Sequence, residues 1–148
     1  MLWITRSHIH VDRVACPWLI TRFIDSEAEF LFVAKSQVED IAKKRQAIPF
    51  DVPDVELGHR DGKCSFEIII ENYGLEDPAL LRLAKIVHAA DISKDLDKDA
   101  YARGLEAIAQ GFSLLYPNDL TNLRAQFSVY DALYAWCRLE TAKPYGVK

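Results

Sequence analysis

The chain has 148 residues, of which 50% are hydrophobic and 27% charged, and its net charge is -4. This length predicts one domain over residues 1–148, and the acidic balance argues against a nucleic-acid partner. No run of 18 apolar residues is present, and charged residues interrupt the N-terminal segment, so we expect a cytoplasmic protein without a membrane span or signal peptide. The three cysteines are widely spaced and odd in number, which favours reduced thiols over disulfides.

The first 25 residues predict a strand followed by a buried helix. Leu2–Thr5 is typical of a short strand, and its alternating pattern continues through His10. From Val11 to about Asp25 apolar residues cover most sides of a helix, as in helices that are buried. Pro17 either kinks this helix or lies in its first turn. If Pro17 opens the helix, the approach loop carries Asp12, Arg13 and Cys16.

Short extended segments and a turn follow. Residues 29–33 predict a strand rich in aromatic and branched side chains, and residues 36–46 predict an exposed helix or a tethered loop. Residues 48–52 and 55–57 predict short extended segments. Residues 58–64 predict a turn that carries His59 and Cys64, and binding residues concentrate in such loops.

The second half of the sequence predicts four helices. Their expected ranges are 64 or 65 to about 73, 77 to 91, about 98 to 116, and about 120 to 143. Together with the N-terminal elements they predict an α+β fold. It is predominantly helical, with a small N-terminal β-sheet packed against about five helices.

Metal-ligating residue types cluster on two of these helices. His88 and Asp91 are three positions apart and project side by side, and Glu67 begins the preceding helix. His59 and Cys64 lie in the adjoining turn and would close the site, and His10 is a further candidate ligand. Imidazole and carboxylate groups suit iron, manganese or zinc. The alternative is structural, with the two carboxylates stabilising helix ends and His88 a hydrogen-bonded core histidine.

The N-terminal segment offers a second set of polar groups. His8, His10 and Asp12 are spaced for one face of a strand, where they would form another metal-ligand set or join the first. Asp12 and Arg13 would alternatively form a buried ion pair that fixes the turn from strand to helix.

Nearby arginines suggest an oxyanion site. Arg13 and Arg22, together with Arg6, would present converging guanidinium donors to an oxyanion. Cys16 beside them would then have a lowered pKa. The alternative is that Cys16 is a buried, inert thiol and that the arginines lie on the surface. A cysteine–histidine pair also remains open.

Other motifs are weak or absent. The segment from Asp95 to Glu106 matches several positions of a calcium-binding loop, but Ala100 stands where that loop requires glycine, so a helix start is favoured. There is no glycine-rich phosphate loop, so we expect no nucleotide cofactor, and there is no serine nucleophile motif.

The segment Val11–Asp25 resembles the C-terminal domain of the ChrB family of chromate-resistance proteins. Four further segments match the family, namely residues 48–53, 58–60, 64–67 and 86–91. The family's motifs include Asp12, Arg13, Cys16, His59, Cys64, Glu67, His88 and Asp91. The resemblance covers nearly the whole chain and implies a role in chromate resistance, without implying catalytic residues. Longer members are regarded as chromate-responsive regulators of an export operon, and we expect this chain to lack their additional N-terminal region.

We therefore predict a metal-binding domain of the chromate-resistance type that senses or detoxifies an oxyanion or a metal. The predicted metal ligands are Glu67, His88, Asp91 and either His59 or His10, and Arg13 and Arg22 are predicted to bind the oxyanion. Two other functions remain open, a redox enzyme that uses Cys16 or Cys64 and a regulatory oxyanion-binding module without chemistry. A single site requires residues 11–22 to pack against the helices that carry Glu67 and His88.

Overall fold

The structure, a computed structural model, describes residues 1–142. Its strands are β1 (Leu2–Arg6), β2 (Glu29–Val33) and β3 (Ile48–Pro49). Its α-helices are α1 (Val11–Phe23), α2 (Val38–Arg45), α3 (Ser65–Asn72), α4 (Pro78–Asp91), α5 (Ala102–Leu115) and α6 (Asp119–Ala142). Short 3-10 helices occupy Lys35–Gln37 and Ser93–Lys98. The fold is α+β and predominantly helical, as predicted, and the expected end of the last helix at residue 143 lies outside the described residues.

The sheet is parallel, and β1 is its central strand. The strand order is β2-β1-β3, with Arg6 opposite Val33 on one side and Trp3 opposite Ile48 on the other. The chain leaves β1 through α1, returns as β2, and then crosses to the far side of β1 as β3. In open parallel sheets, ligands bind beyond the carboxyl ends of the strands where the strand order reverses in this way.

The two faces of the sheet are covered by different helices. Alternate side chains of a strand point to opposite faces. Trp3 accordingly belongs to the main core with α1, whereas Ile4 packs in a smaller core with Val38 and Ala42 of α2. Both strand residues are almost fully buried.

Helix α1 lies at the centre of the main core. It packs against α3, α4 and α6, which confirms that residues 11–22 contact the helices carrying Glu67 and His88. Two of its hydrogen bonds to α6 are made by buried side chains: Trp18 Nε1 donates to Asp131 over 2.8 Å, and the Tyr130 hydroxyl donates to the Val11 carbonyl over 3.3 Å. Burial on all sides explains why the apolar residues of α1 follow no single stripe.

Two local expectations are wrong, the strand through His10 and the start of the helix at Lys98. β1 ends at Arg6, and His8 has a φ of 63°, so His8, His10 and Asp12 do not alternate along one strand. The Asp119 carboxylate holds this turn by accepting hydrogen bonds from the amides of residues 8 and 9 at 3.0 Å.

Of the two positions predicted for Pro17, the one within the helix is confirmed, and the residues before it do not form a loop. Pro17 lies inside the helix, whose first turn already contains Asp12 and Arg13, and Cys16 follows on the same helix.

The predicted helix from Lys98 begins only at Ala102, because Ser93–Lys98 form a 3-10 helix.

Along residues 1–142, no helix combines the length and the apolar character required to cross a bilayer.

Candidate metal centre

Three aspartate carboxylates surround one ring nitrogen of His59. Nε2 of His59 lies 3.2 Å from Asp12 Oδ2, 3.2 Å from Asp51 Oδ1 and 3.1 Å from Asp91 Oδ2. Four segments converge here: the first turn of α1, the residues after β3, the turn before α3, and the end of α4. We call Asp12, Asp51, His59 and Asp91 the carboxylate centre. It lies at the carboxyl edge of the sheet, where the strand order reverses.

Each carboxylate is fixed by contacts outside the centre. Asp12 accepts hydrogen bonds from the amides of Ser65 at 2.7 Å and Phe66 at 3.1 Å, the first two residues of α3. Asp91 Oδ1 accepts from the Asp12 amide at 3.3 Å. Asp51 accepts from the Ser65 hydroxyl at 2.8 Å and pairs with Arg13 at 3.4 Å. Such contacts orient carboxylates in the way that supporting groups around a metal site do.

Asp12 is a buried carboxylate whose ionised form is disfavoured by its surroundings. The residue is 1% exposed. Burial, reinforced by the negative charge of Asp51, raises the pKa of Asp12 to about 7 despite its hydrogen bond with His59. The two amides at the N-terminus of α3 compensate part of this cost, because a helix N-terminus favours a negative charge.

The imidazole of His59 is the cation of the centre. Its hydrogen bonds with Asp12, then with Asp51 and Asp91, raise the pKa of His59 to about 12, against the opposing effect of burial. The protonated form therefore stabilises the folded state below the ordinary histidine range and throughout neutral pH, and this contribution is lost only as the pH rises towards 12.

A second cluster lies beside the first and shares the N-terminal turn of α3. Nδ1 of His88 is 2.5 Å from Glu67 Oε1, and Nε2 of His88 is 2.6 Å from Asp95 Oδ2. Cys64 is the N-cap of α3, and its amide donates to Glu67 at 3.0 Å. We call Cys64, Glu67, His88 and Asp95 the α3–α4 cluster. His88 and Asp91 are neighbours on α4, as predicted, but they belong to different groups.

The charges of the α3–α4 cluster are internally compensated. Burial lowers the pKa of His88, but the hydrogen bonds with Glu67 and Asp95 outweigh it and raise the pKa overall. Lys98, which is 2.9 Å from Asp95, lowers the pKa of Asp95 to about 2 together with His88. Asp97 and Asp99 pair with Arg103 and Arg82, so the acidic residues once compared with a calcium loop have cationic partners.

A cavity of about 600 Å³ opens above the carboxylate centre. Basic side chains line its wall, namely Arg6, His10, Arg13 and Lys35. The Nε atoms of Arg6 and Arg13 are buried and have no hydrogen-bond acceptor within residues 1–142. The cavity therefore combines an acidic floor with a basic wall.

The structure differs from two predictions about binding residues, the position of Arg22 and the pKa of Cys16. Arg22 pairs with Asp131 at 3.0 Å and does not line the cavity, because it lies ten positions after Asp12 on α1, a rise of about 15 Å. Cys16 is buried and donates to Asp12 at 3.4 Å. Burial and the nearby negative charge raise the pKa of Cys16, so the expectation of a lowered pKa is wrong.

The sequence analysis missed Asp51 and Asp95. Asp51 lies within a segment that resembles the ChrB family, directly after a predicted strand. This position is the signal by which the sequence could have identified Asp51 as a site residue. The sequence pattern places Asp95 only at the start of a weak match to a calcium-binding loop. Of the two predicted alternatives, His59 belongs to the carboxylate centre, whereas His10 lines the cavity without belonging to either cluster of the described residues.

These features define a small α+β domain with a carboxylate–imidazole centre at the edge of a parallel sheet. The family described as ChrB, C-terminal domain, matches residues 3–137, and Protein ChrB of Cupriavidus metallidurans is 39% identical over 134 residues. The chain therefore belongs to the ChrB C-terminal domain family. The alignment covers 89% of this chain and 39% of that relative, so the chain spans about two fifths of the relative's length. No solved structure matches the chain significantly.

The raised pKa of His59 predicts how this ring titrates. In the metal-free protein the ring nitrogens of His59 should keep the ¹⁵N chemical shifts of an imidazolium from about pH 6 to 9, because three carboxylates hold the protonated ring. Titration of Asp12 near pH 7 should cause only a small change in these shifts. Asp91→Asn removes one of these carboxylates and should lower the pKa of His59. Titration of His59 in the unaltered protein with a midpoint near the ordinary value of 6.5 would contradict the described geometry.

Proposed function

We propose that this chain is a cytoplasmic, metal-dependent oxyanion-binding domain with a role in chromate resistance. The observation that carries the proposal is the convergence of three carboxylate oxygens on one ring nitrogen of His59, within 3.2 Å. Membership of the ChrB C-terminal domain family supports the link to chromate. The three cysteines are free, as is usual in a reducing compartment.

The charge of the carboxylate centre favours a divalent cation. Its three carboxylates, when ionised, exceed the single positive charge of Arg13, the arginine that pairs with Asp51. A divalent ion together with Arg13 would neutralise all three. The imidazolium of His59 takes the place of that ion in the metal-free protein, and an entering ion would displace its Nε2 proton, since metal ligands must be deprotonated.

The donor set favours manganese or iron. Carboxylate oxygens suit hard cations such as Mn²⁺, and imidazole extends the preference to Fe²⁺ and Zn²⁺. Each aspartate oxygen that faces His59 belongs to a carboxylate held by backbone or side-chain contacts. This rigidity reduces the entropy lost on binding an ion.

The basic wall of the cavity favours an anionic ligand of the bound metal. Guanidinium groups bind tetrahedral oxyanions through several converging donors. Arg6 and Arg13 each have a buried, unpartnered Nε–H, and Lys35 adds a third positive charge at the same cavity. An oxyanion such as chromate would bind between the metal and these side chains. Arg6 and Lys35 thus take the role that the sequence suggested for Arg22.

A cysteine-dependent redox reaction is less well supported. A reactive cysteine needs a thiolate in an accessible, electropositive environment. Cys16 and Cys64 are both fully buried, and burial raises the pKa of each thiol well above its ordinary range. We therefore favour binding and sensing of the oxyanion over its reduction by these cysteines.

The metal proposal predicts that Asp91→Asn weakens Mn²⁺ binding by more than about 100-fold, because it removes a charged ligand while preserving size. Calorimetric titration of protein purified without added metal would measure this change. Asp54→Asn provides the matched control, since Asp54 lines the same cavity outside the carboxylate centre and its substitution should leave the affinity unchanged. Failure of the unaltered protein to contain or to gain any transition metal in stoichiometric amount would sink the proposal.

The oxyanion proposal predicts that Arg6→Gln weakens chromate binding to the Mn²⁺-loaded protein by about tenfold or more, the loss expected for one charge-assisted hydrogen bond. Equilibrium dialysis read by chromate absorbance gives the affinity and also reports any reduction of chromate. Arg45→Gln, at the exposed end of α2, should have no effect. Equal losses of affinity in both variants would show that only the net charge of the protein matters, which would contradict an anion site at Arg6. Chromate binding that persists without metal would show that the anion site does not depend on the carboxylate centre.

A further inference from the structure

The α3–α4 cluster contains three metal-ligating atoms that the carboxylate centre does not use. Sγ of Cys64, a carboxylate oxygen of Glu67 and a ring nitrogen of His88 all lie within 4.8 Å of one another. Ligand atoms around a zinc ion stand about 2.0–2.3 Å from the metal, so a small inward rotation of these side chains would let them share one ion.

The environment of His88 matches that of a metal-ligating histidine. Its Nδ1 faces Glu67, whereas Nε2 lies 2.6 Å from the Asp95 carboxylate on the opposite side of the ring. Metal-ligating histidines usually donate their second ring N–H to a carboxylate in this manner, which fixes the tautomer and increases the basicity of the ligand. Asp95 is itself anchored by Lys98. This contact is independent of the clustering of the three candidate ligands.

The cluster has a path for an ion and room for a further ligand. His88 and Glu67 line a cavity of about 290 Å³, and their side chains are 20% and 26% exposed. Cys64 is fully buried behind them. An ion that entered from the cavity would therefore bind three protein ligands and keep one position open towards solvent, as catalytic zinc sites do.

We propose that Cys64, Glu67 and His88 bind a second divalent cation of the thiophilic or borderline class, such as Zn²⁺ or Co²⁺. A thiolate and an imidazole select these ions over Mn²⁺ and Mg²⁺, whereas the carboxylate centre offers three oxygen ligands and selects the harder cations. The two sites share the N-terminal turn of α3 but no ligand, so the chain discriminates between two chemical classes of metal ion.

Co²⁺ titration tests this site because thiolate-bound Co²⁺ absorbs in the near ultraviolet by charge transfer. The unaltered protein should develop this absorption with one Co²⁺, and Zn²⁺ should abolish it by competition. Cys64→Ser should eliminate the absorption while preserving the fold, because serine retains the N-cap acceptor that Cys64 supplies to the Glu67 amide. Cys137→Ser removes a buried thiol on α6, away from the cluster, and should leave the spectrum unchanged.

Asp95→Asn tests the positioning role of Asp95. It should weaken Co²⁺ binding by about 10–100-fold and shift the visible Co²⁺ spectrum, which a purely structural role would not alter. Charge-transfer absorption that persists in Cys64→Ser, or Co²⁺ binding to the unaltered protein without any such absorption, would overturn the proposal. Mn²⁺ binding by these variants, measured separately, reports on the carboxylate centre alone, so the failure of one site is distinguishable from the failure of the other.

Discussion

The architecture of the site depends on the hydrogen bonds of the buried Asp12 carboxylate. This carboxylate accepts hydrogen bonds from the first two amides of α3, and one of its oxygens faces His59. Burial of an unpaired carboxylate would cost several kcal/mol, and the amides of α3 together with His59 offset that cost. Its removal would leave two buried amides without acceptors, at about 1–3 kcal/mol each. Asp12 therefore fixes α1, α3 and the turn at His59 relative to one another.

The two clusters differ in the balance of their charges, although they lie side by side. In the carboxylate centre three aspartates face one imidazolium and one arginine, so negative charge is in excess. In the α3–α4 cluster, the imidazole of His88 and the ammonium of Lys98 face two carboxylates. The first arrangement attracts a hard cation electrostatically, whereas the second depends on the softer donors Cys64 and His88 for any affinity.

Much of the fold could be predicted because its signals are local. Asp77 and Pro78 mark the start of α4, and the Asp77 side chain indeed accepts from the Ala79 amide at 2.9 Å. The composition of the site was less predictable, because tertiary packing determines which side chains meet. His88 and Asp91 project side by side on α4 but diverge by about 60° around its axis, enough for each to face a different partner. Asp51 has a φ of 49°, a left-handed backbone conformation that the local sequence pattern does not predict.

We propose that a metal ion replaces the Nε2 proton of His59 in the carboxylate centre. Anomalous X-ray diffraction from crystals loaded with Mn²⁺ would locate this ion. We expect a peak about 2.0–2.2 Å from His59 Nε2 and from oxygens of Asp12 and Asp91, the usual range for such ligands. These three ligand atoms already lie within 4.8 Å of one another. A map without a peak at this position, with the ring of His59 still hydrogen-bonded to the three carboxylates, would rule out metal binding at the carboxylate centre.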